Sequence, residues 1–255
     1  MNEHKKYIHR IKRNKFFILF FQISIFITFL LLWEYAAKKG IINSFITSSP
    51  SKIHSTLLKL YKDKMLFIHI YTTLKETIIA FIITSILSLI ISILLYNYKM
   101  LNNIVEPYLT ILNSLPKVAL GPIIIIWFGA NDKSIIVMAI LISLIVSVQS
   151  IKNGFVNTDK LKIKLMNTFK ANKKDVLKYL IIPGNIQTIL NTLKINISMC
   201  LIGVISGEFL TSKAGIGYLI LYGSQIFNLD LVMSGIFLLT IISFILYKLI
   251  LLIKK

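Results

Sequence analysis

Cysteine, acidic residues and proline are all scarce in this sequence of 255 residues. The single cysteine, Cys200, excludes a disulfide scaffold and a cysteine-based zinc cluster. The four histidines lack the spacing of metal ligands, and the ten acids nowhere form the paired carboxylates of a hydrolase. No glycine-rich phosphate loop of the type G-x-x-x-x-G-K-S/T is present. We therefore expect no catalytic activity, and no cofactor or metal bound by this chain itself.

Apolar residues, in contrast, are abundant. They make up 56% of the chain, charged residues make up 15%, and the mean hydropathy is +0.77. A typical soluble domain has about 45–50% apolar and about 25% charged residues. The net charge of +19 would suggest nucleic acid as the partner of a soluble protein. Here we attribute it to membrane topology, and the sequence predicts an integral membrane protein surrounded by a lipid bilayer, with no nucleic-acid partner.

The long apolar stretches predict an all-α, polytopic membrane protein. A helix needs about 20 mostly apolar residues to cross a bilayer. Six stretches approach that length: Phe16–Trp33, Ile78–Tyr96, Tyr108–Phe128, Ile135–Ile151, Ile186–Gly207 and Leu231–Ile253. The first is too long for a signal peptide and lacks an A-x-A-like cleavage site. The third contains or adjoins three prolines, so we predict a kinked helix packed inside protein.

The distribution of basic residues predicts that both termini are cytoplasmic. With the N-terminus inside, 18 lysines and arginines lie in cytoplasmic segments and nine lie outside. Lysine and arginine accumulate on the cytoplasmic side of membrane proteins. Most of the outer lysines fall within an amphipathic segment that ends the region 16–66, after the first predicted span. Residues 1–15 form a basic cytoplasmic tail, and the predicted location is the plasma membrane.

The loop 152–183 carries two short helical patterns. The first consists of Leu161, Leu165, Met166 and Phe169, and the second of Val176, Leu177, Leu180 and Ile181. Between them lie Ala171 and Asn172, and an asparagine readily ends a helix in the left-handed conformation. Pro183 is expected to stop the second helix before the fifth span. This helix-turn-helix has an apolar face and a basic face. Such a segment serves either as a surface that binds lipid headgroups or as a docking surface for a soluble partner.

Three separated stretches together resemble a known family. They are the end of this loop, KDVLKYLIIPGNIQTIL, the stretch LPKVALGPIIIIWFGANDKS, and the stretch GEFLTSKAGIGYLILYGSQIFNLDLVMSGI. In this order they resemble the permeases of binding-protein-dependent ABC importers, in the sulfonate, taurine and nitrate branch that also contains importers of thiamine precursors. The resemblance covers roughly Ile70 to the C-terminus. It implies a type I transmembrane permease domain over 67–255, with residues 152–183 as the ATPase-coupling loop.

The loop departs from the pattern of that family. The Glu-Ala-Ala of the family falls on Lys164, Leu165 and Met166, and its turn glycine falls on Lys170, whereas Ala171, Leu177 and Pro183 agree. A lysine in the left-handed conformation is strained by about 1–2 kcal/mol. We therefore expect Asn172 to take that conformation.

The resemblance also implies partners and a role. It implies an ABC ATPase subunit that carries the ATP and magnesium, an extracellular solute-binding protein, and a second permease copy in a homodimer. The chain would form the pathway for a small anionic or heterocyclic solute of the sulfonate, taurine or nitrate kind, or alternatively for a thiamine precursor. A stand-alone secondary transporter or channel is the alternative from another class, although we find no internal repeat of the kind that such proteins often show.

Six residues are candidates for the pathway or a gate. Lys117 follows Pro116 in the third span and offers positive charge to an anionic solute, or else serves a structural pairing. Glu208 ends the fifth span, where it pairs with a lysine or shapes a gate. Asn113 and Ser114 face the pathway or bond helices together. Gly215 and Gly217 allow close backbone approach, for a gate or for packing alone.

Overall fold

The computed structural model describes residues 3–252, and in this range the chain is helical and contains no strand. A 3-10 helix at Lys117–Leu120 precedes α6, and a π-helix at Leu177–Ile181 follows α9. The α-helices are α1 (Glu3–Lys38), α2 (Ser44–Thr47), α3 (Pro50–Lys62), α4 (Met65–Asn97), α5 (Lys99–Ser114), α6 (Gly121–Phe128), α7 (Asp132–Val156), α8 (Lys160–Thr168), α9 (Lys173–Val176), α10 (Ile182–Gly184), α11 (Ile186–Thr211), α12 (Ile216–Gln225) and α13 (Leu229–Leu252).

Five helices in the described residues are long and apolar enough to cross a membrane, namely α1, α4, α7, α11 and α13. The number rises to six if α5 and α6 together form one broken span. The prediction of an all-α polytopic membrane protein with about six spans is therefore confirmed. The last residue of the sixth predicted span, Ile253, lies outside the described residues, as do the first two residues of the predicted tail and the last three of the predicted permease domain.

The third predicted span, Tyr108–Phe128, differs from its prediction. Helix α5 and the helical segment Lys117–Phe128 meet at an angle of 92°. The cause is local, because Leu115 has the extended backbone (φ −70°, ψ 141°) that a following proline favours. Helix α5 has no buried side chain, whereas α6 buries Gly121 and Ile124. The predicted packing inside protein is therefore wrong for the first half of this span in the chain on its own, and right for the second half.

Helices α4, α7 and α11 form the centre of the bundle. The buried face of α4 is small and polar rather than apolar, while its large aliphatic residues point outward. Hydroxyls bond across the helix contacts: Thr84 and Ser143 are 3.1 Å apart, and Ser92 donates to the Val148 carbonyl at 3.1 Å. Such a pattern is typical of membrane bundles, in which lipid faces the apolar residues and small or polar residues join the helices.

Two glycines set the distance between α7 and α11. A Cβ on Gly203 would lie 2.4 Å from the Cα of Ala139, and one on Gly207 would lie 3.0 Å from the Cα of Ile135. Any larger residue at these positions would push the helices apart. The small residues therefore let the two backbones approach closely, which increases van der Waals contact where lipid supplies no hydrophobic driving force.

The N-terminal part of the chain lies at the edge of this bundle. Helix α1 continues from the predicted tail through the predicted span without a break, and none of its described side chains is buried. Near its C-terminal end, Glu34 accepts the Ser51 backbone N–H at 3.0 Å. Helix α3 is the amphipathic segment, begins at Pro50 after the Ser49 cap, and packs on α13 and α4, with Ile53 buried.

Candidate functional site

Helix α8 has one face anchored in the bundle and another free. On the anchored face, Ile163 and Met166 pack against a cluster formed by Ile151, Phe155 and other buried residues. On the free face, Leu161, Leu165 and Phe169 are 76%, 57% and 76% exposed. Of the four residues of the predicted apolar face, Met166 therefore points inward and the other three point outward. We call Leu161, Leu165 and Phe169 the α8 ridge.

The turn after α8 is a Schellman motif with lysine at its left-handed position. The Ala171 N–H donates to the Met166 carbonyl at 3.1 Å, and the Lys170 N–H donates to the Asn167 carbonyl at 2.9 Å. Lys170 has φ +57°, whereas Asn172 has φ −81° and caps α9 in a capping box with Asp175. The expectation that Asn172 takes the left-handed conformation is therefore wrong, because Asn172 satisfies the first N–H groups of the next helix instead.

Replacing Lys170 with glycine is expected to stabilise this turn by about 1 kcal/mol, since glycine removes the penalty of the left-handed conformation. Exchange of the backbone amides at positions 170 and 171, measured by mass spectrometry, should be about fivefold slower in the variant than in the unaltered chain. Gly184 provides the control, because it has open space around it and an ordinary φ. Glycine-to-alanine substitution there should leave exchange in the turn unchanged. Equal or faster exchange in Lys170→Gly would contradict a strained turn.

The end of the loop is fixed to the bundle at Asn185. Its side-chain amide donates to the Thr158 hydroxyl at 2.7 Å and to the Ile181 carbonyl at 2.9 Å. Leu177 is half-buried against the same apolar cluster as Met166 and Ala171. Pro183 does not stop the preceding helix as predicted, because the backbone continues through α10 and breaks at Asn185 (φ −107°, ψ 14°). The wide π turn before it accommodates a proline that cannot donate to the fourth residue back.

At the break between α5 and α6, the structure brings three of the six pathway candidates together. The Lys117 ammonium donates to the Asn113 carbonyl at 3.0 Å and to its side-chain oxygen at 3.3 Å. The Ser114 hydroxyl donates to the Thr110 carbonyl at 3.1 Å. Asn113 and Ser114 are exposed, and Lys117 is partly exposed. The ammonium thus caps the C-terminus of α5, where a cation is favourable, and remains accessible from the free side of that helix.

The other three candidates, Glu208, Gly215 and Gly217, meet in a buried cluster at the C-terminal end of α11. Glu208 accepts the Gly217 N–H at 2.5 Å and the Thr73 hydroxyl at 2.6 Å. A Cβ on Gly215 would lie 2.3 Å from the Glu208 carboxyl carbon, and one on Gly217 would lie 2.8 Å from its Cβ. The glycines therefore make room for the carboxylate. Among the described residues, no lysine lies within ion-pair distance of Glu208, so the expected lysine pairing is wrong.

Three residues of α4 complete this cluster and were missed by the sequence analysis. The Gly215 N–H donates to His69 Nδ1 at 3.1 Å, and the Ile216 N–H donates to Thr73 at 2.8 Å. Together with Glu208, these side chains accept the free N–H groups at the start of α12. Glu76, one turn further along, is fully buried, and its two carboxylate oxygens have no hydrogen-bond partner in the described part of the chain. In the sequence, these three residues are recognisable only as polar positions in the first turns of an otherwise apolar helix.

Comparison with known proteins places these features in a family. The profile of the family described as "Binding-protein-dependent transport system inner membrane component" matches residues 88–255. A probable ABC transporter permease protein of Haemophilus influenzae is 27% identical over 218 residues, which cover 86% of this chain and 88% of that protein. The formylaminopyrimidine transport permease protein ThiX of Halalkalibacterium halodurans is 25% identical, with 76% of each chain covered.

Two more proteins extend the comparison. The putative aliphatic sulfonates transport permease protein SsuC of Bacillus subtilis is 22% identical, with 83% of this chain and 77% of that protein covered. A solved structure of the MetNI methionine ABC transporter in an inward-facing conformation matches with a TM-score of 0.62 and 15% identity. It covers 71% of this chain and 90% of that chain, and at this identity the similarity concerns the fold alone.

Proposed function

Because the chain belongs to the family of binding-protein-dependent transport system inner membrane components, we propose that it is the membrane-spanning permease subunit of an ATP-driven importer. The bundle supplies the membrane pathway and carries no phosphate loop of its own. Energy therefore comes from a separate ABC ATPase subunit, which holds the ATP and the magnesium ion. The chain itself acts as a transport subunit rather than an enzyme.

The observation that carries this proposal is the α8 ridge. Three large apolar side chains stand free on a short helix outside the bundle, on a stretch of chain too polar to enter the bilayer core. The opposite face of the helix is anchored through Ile163 and Met166. An exposed apolar ridge on an anchored helix fits into a groove of a soluble partner in the way that amphipathic helices bind. The occupant of this surface is the ATPase subunit.

The anchored face explains how movement of the ATPase reaches the pathway. Ile163 and Met166 contact the cluster of Ile151 and Phe155, which lie on α7, and Leu89 and Ile93 of α4 pack on the same cluster. A displacement of α8 therefore moves the ends of two central helices as a packed unit rather than bending a loose loop. The spans then alternate between inward-open and outward-open arrangements.

This function fixes the orientation of the chain in the plasma membrane. The ATPase is cytoplasmic, so the end of the bundle that carries α8 and α9 faces the cytoplasm, with both termini on that side. The excess of lysine and arginine in those segments supports the same orientation. The opposite end, with α3 and the Glu208 cluster, faces the extracellular binding protein that delivers the solute.

A second copy of the permease completes the pathway. Helix α5 has no buried side chain, and Lys117 lies partly exposed at its broken end. In a homodimer these free faces meet around the two-fold axis, where the Lys117 ammonium favours an anion. The solute is a small anionic or heterocyclic molecule, in keeping with the formylaminopyrimidine and aliphatic sulfonates named for two relatives.

Substitution of the α8 ridge tests this function. In a pull-down from detergent-solubilised membranes, the ATPase subunit should copurify with the unaltered chain. The amount of ATPase that copurifies with Leu161→Ala/Leu165→Ala should be at least tenfold lower, because truncating buried interface residues costs about 1 kcal/mol or more each. ATP-dependent uptake should fall with it.

The control uses the pair Ile82 and Ile86, which are 49% and 55% exposed on the outward face of α4. Alanine at both positions should retain the ATPase. Copurification of an ATPase with neither the unaltered chain nor any variant would contradict the importer. Flux in liposomes without ATP would then favour the stand-alone transporter.

A further inference from the structure

The α8 ridge is surrounded by an unusual excess of one charge. The segment 157–182 contains seven lysines and two acids. All seven lysines are exposed, and within residues 3–252 none of them forms an ion pair with a carboxylate. The lysines are Lys160, Lys162, Lys164, Lys170, Lys173, Lys174 and Lys178.

The two acids of the segment are engaged elsewhere. Asp159 caps α8 by accepting the Leu161 N–H at 2.8 Å. Asp175 caps α9 by accepting the Asn172 N–H at 3.1 Å in the capping box. Both carboxylates therefore serve helix N-termini, where a negative charge is already favourable. Among the residues that the structure describes, the lysine charges therefore remain uncompensated.

The lysines of α8 flank the ridge on both sides. A helix turns about 100° per residue, so Lys162 and Lys164 project roughly 80° to either side of the line through Leu161 and Leu165. The ridge thus presents an apolar centre with a cationic rim. Bringing lysines so close together without counter-charges is unfavourable in the isolated chain, and it is relieved when a partner supplies carboxylates.

We propose that the surface of the ATPase subunit that receives α8 is an apolar groove with an acidic rim, and that Lys162 and Lys164 select and steer this partner by charge. This inference rests on the proposed function, and it adds the chemistry of the partner. The apolar centre supplies most of the affinity, whereas the rim controls the rate of association and excludes ATPases with a basic rim. An anionic lipid surface is the competing occupant.

Charge reversal in the intact permease tests the rim. The protein is reconstituted in nanodiscs of phosphatidylcholine, and its association with the purified ATPase subunit is followed as a function of salt. Lys162→Glu/Lys164→Glu should lower the association rate at least tenfold at about 50 mM salt, and the difference should largely vanish near 0.5 M. Lys162→Arg/Lys164→Arg should behave as the unaltered chain, because the charge is kept.

The control reverses two exposed lysines at the opposite end of the bundle. Lys59→Glu/Lys62→Glu changes the net charge by the same amount and should leave the association rate within about twofold. A carbodiimide, which joins amines to carboxylates in contact, should link Lys162 or Lys164 of the unaltered chain to an aspartate or glutamate of the ATPase.

Two results would overturn the inference. If Lys162→Glu/Lys164→Glu binds the ATPase with unchanged rate and salt dependence while Leu161→Ala/Leu165→Ala loses it, the docking site stands but the acidic rim does not. If the reversal changes ATPase association only in nanodiscs that also contain phosphatidylglycerol, and not in phosphatidylcholine alone, the lysines serve the lipid surface. Failure of the ridge variant to affect ATPase binding is a separate result and would count against the proposed function itself.

Discussion

Alanine in place of Gly215 is expected to lower the free energy of unfolding by about 2–6 kcal/mol. About 1–3 kcal/mol comes from the backbone, since Gly215 has φ +113° and ψ 165°, a conformation open essentially to glycine alone. About 1–3 kcal/mol comes from overlap, because the added Cβ would lie 2.3 Å from the Glu208 carboxyl carbon. The carboxylate would have to leave the position in which it accepts the Gly217 N–H.

Two other glycines separate these contributions. Gly40 also has a positive φ, +70°, but nothing lies within 4 Å of its Cβ position. Gly40→Ala should therefore show the strain alone, about 1–2 kcal/mol. Gly184 has neither constraint, so Gly184→Ala should be neutral or slightly stabilising. Equal losses for Gly215→Ala and Gly40→Ala would show that Glu208 does not occupy this space.

The chain contains a convenient reporter for these measurements. Cys200, its single cysteine, lies on α11 and is fully buried against α7, close to the Ser143 hydroxyl. A thiol-reactive fluorogenic dye added to the purified protein in detergent should label it only on unfolding. The apparent melting temperature of each variant then follows from the same residue, without any added tag.

Periodicity and composition were sufficient to predict the helical spans because a membrane imposes simple requirements. About 20 apolar residues and internally satisfied backbone groups define a span, and α4, α7, α11 and α13 satisfy both conditions. The sharp bend at Leu115 was underestimated. Prolines indicate that a helix is interrupted, but the angle depends on what packs against each half.

The loop illustrates a different limit of prediction. A helical pattern was visible around Leu165, but four apolar residues on a short helix do not reveal which of them face the bundle. Met166 turned out to pack inward, because Phe155 and Ile151 form a cluster beside it. The turn was also misassigned, since a helix cap on α9 used Asn172 and left Lys170 to take the strained position.

The Glu208 cluster could be predicted only in part. Glu208 and the two glycines were identified from their types and positions, whereas His69, Thr73 and Glu76 were not. The predicted second span begins at Ile78, which leaves those three residues outside it. The roles of His69 and Thr73 depend on the start of α12, whose free N–H groups approach α4 across more than 130 residues of sequence. Such contacts exist only in the folded bundle.

The pair formed by Lys152 and Glu106 supports the last prediction. Lys152 lies in the predicted loop 152–183, but its side chain is only 5% exposed and donates to Glu106 at 2.9 Å, joining α7 to α5. The glutamate is 52% exposed and also accepts the Asn102 amide at 3.0 Å. The buried ammonium of Lys152 therefore relies on Glu106 for its counter-charge, whereas the carboxylate of Glu106 is also solvated by water.

Removing the exposed partner should be more harmful than removing the buried one. Glu106→Ala leaves an ammonium buried without a counter-charge and should cost about 2–3 kcal/mol. Lys152→Met fills the same space with an apolar chain and leaves a glutamate that water can solvate, so it should cost less than about 1 kcal/mol. Dye labelling of Cys200 should place the melting temperature of Glu106→Ala well below that of Lys152→Met.

The double variant distinguishes a lost charge pair from lost packing. Adding Lys152→Met to Glu106→Ala should raise the melting temperature again, because the unpaired charge is gone, and the two changes are then strongly non-additive. If the two changes simply add, the pair contributes nothing specific to joining α5 and α7. Helix α5 ends at the break that precedes Lys117, and α7 leads into the α8 ridge. ATP-dependent uptake by the three variants should therefore follow the same order as their melting temperatures. Uptake that falls equally in Lys152→Met and Glu106→Ala would separate stability from coupling and assign Lys152 a role in movement.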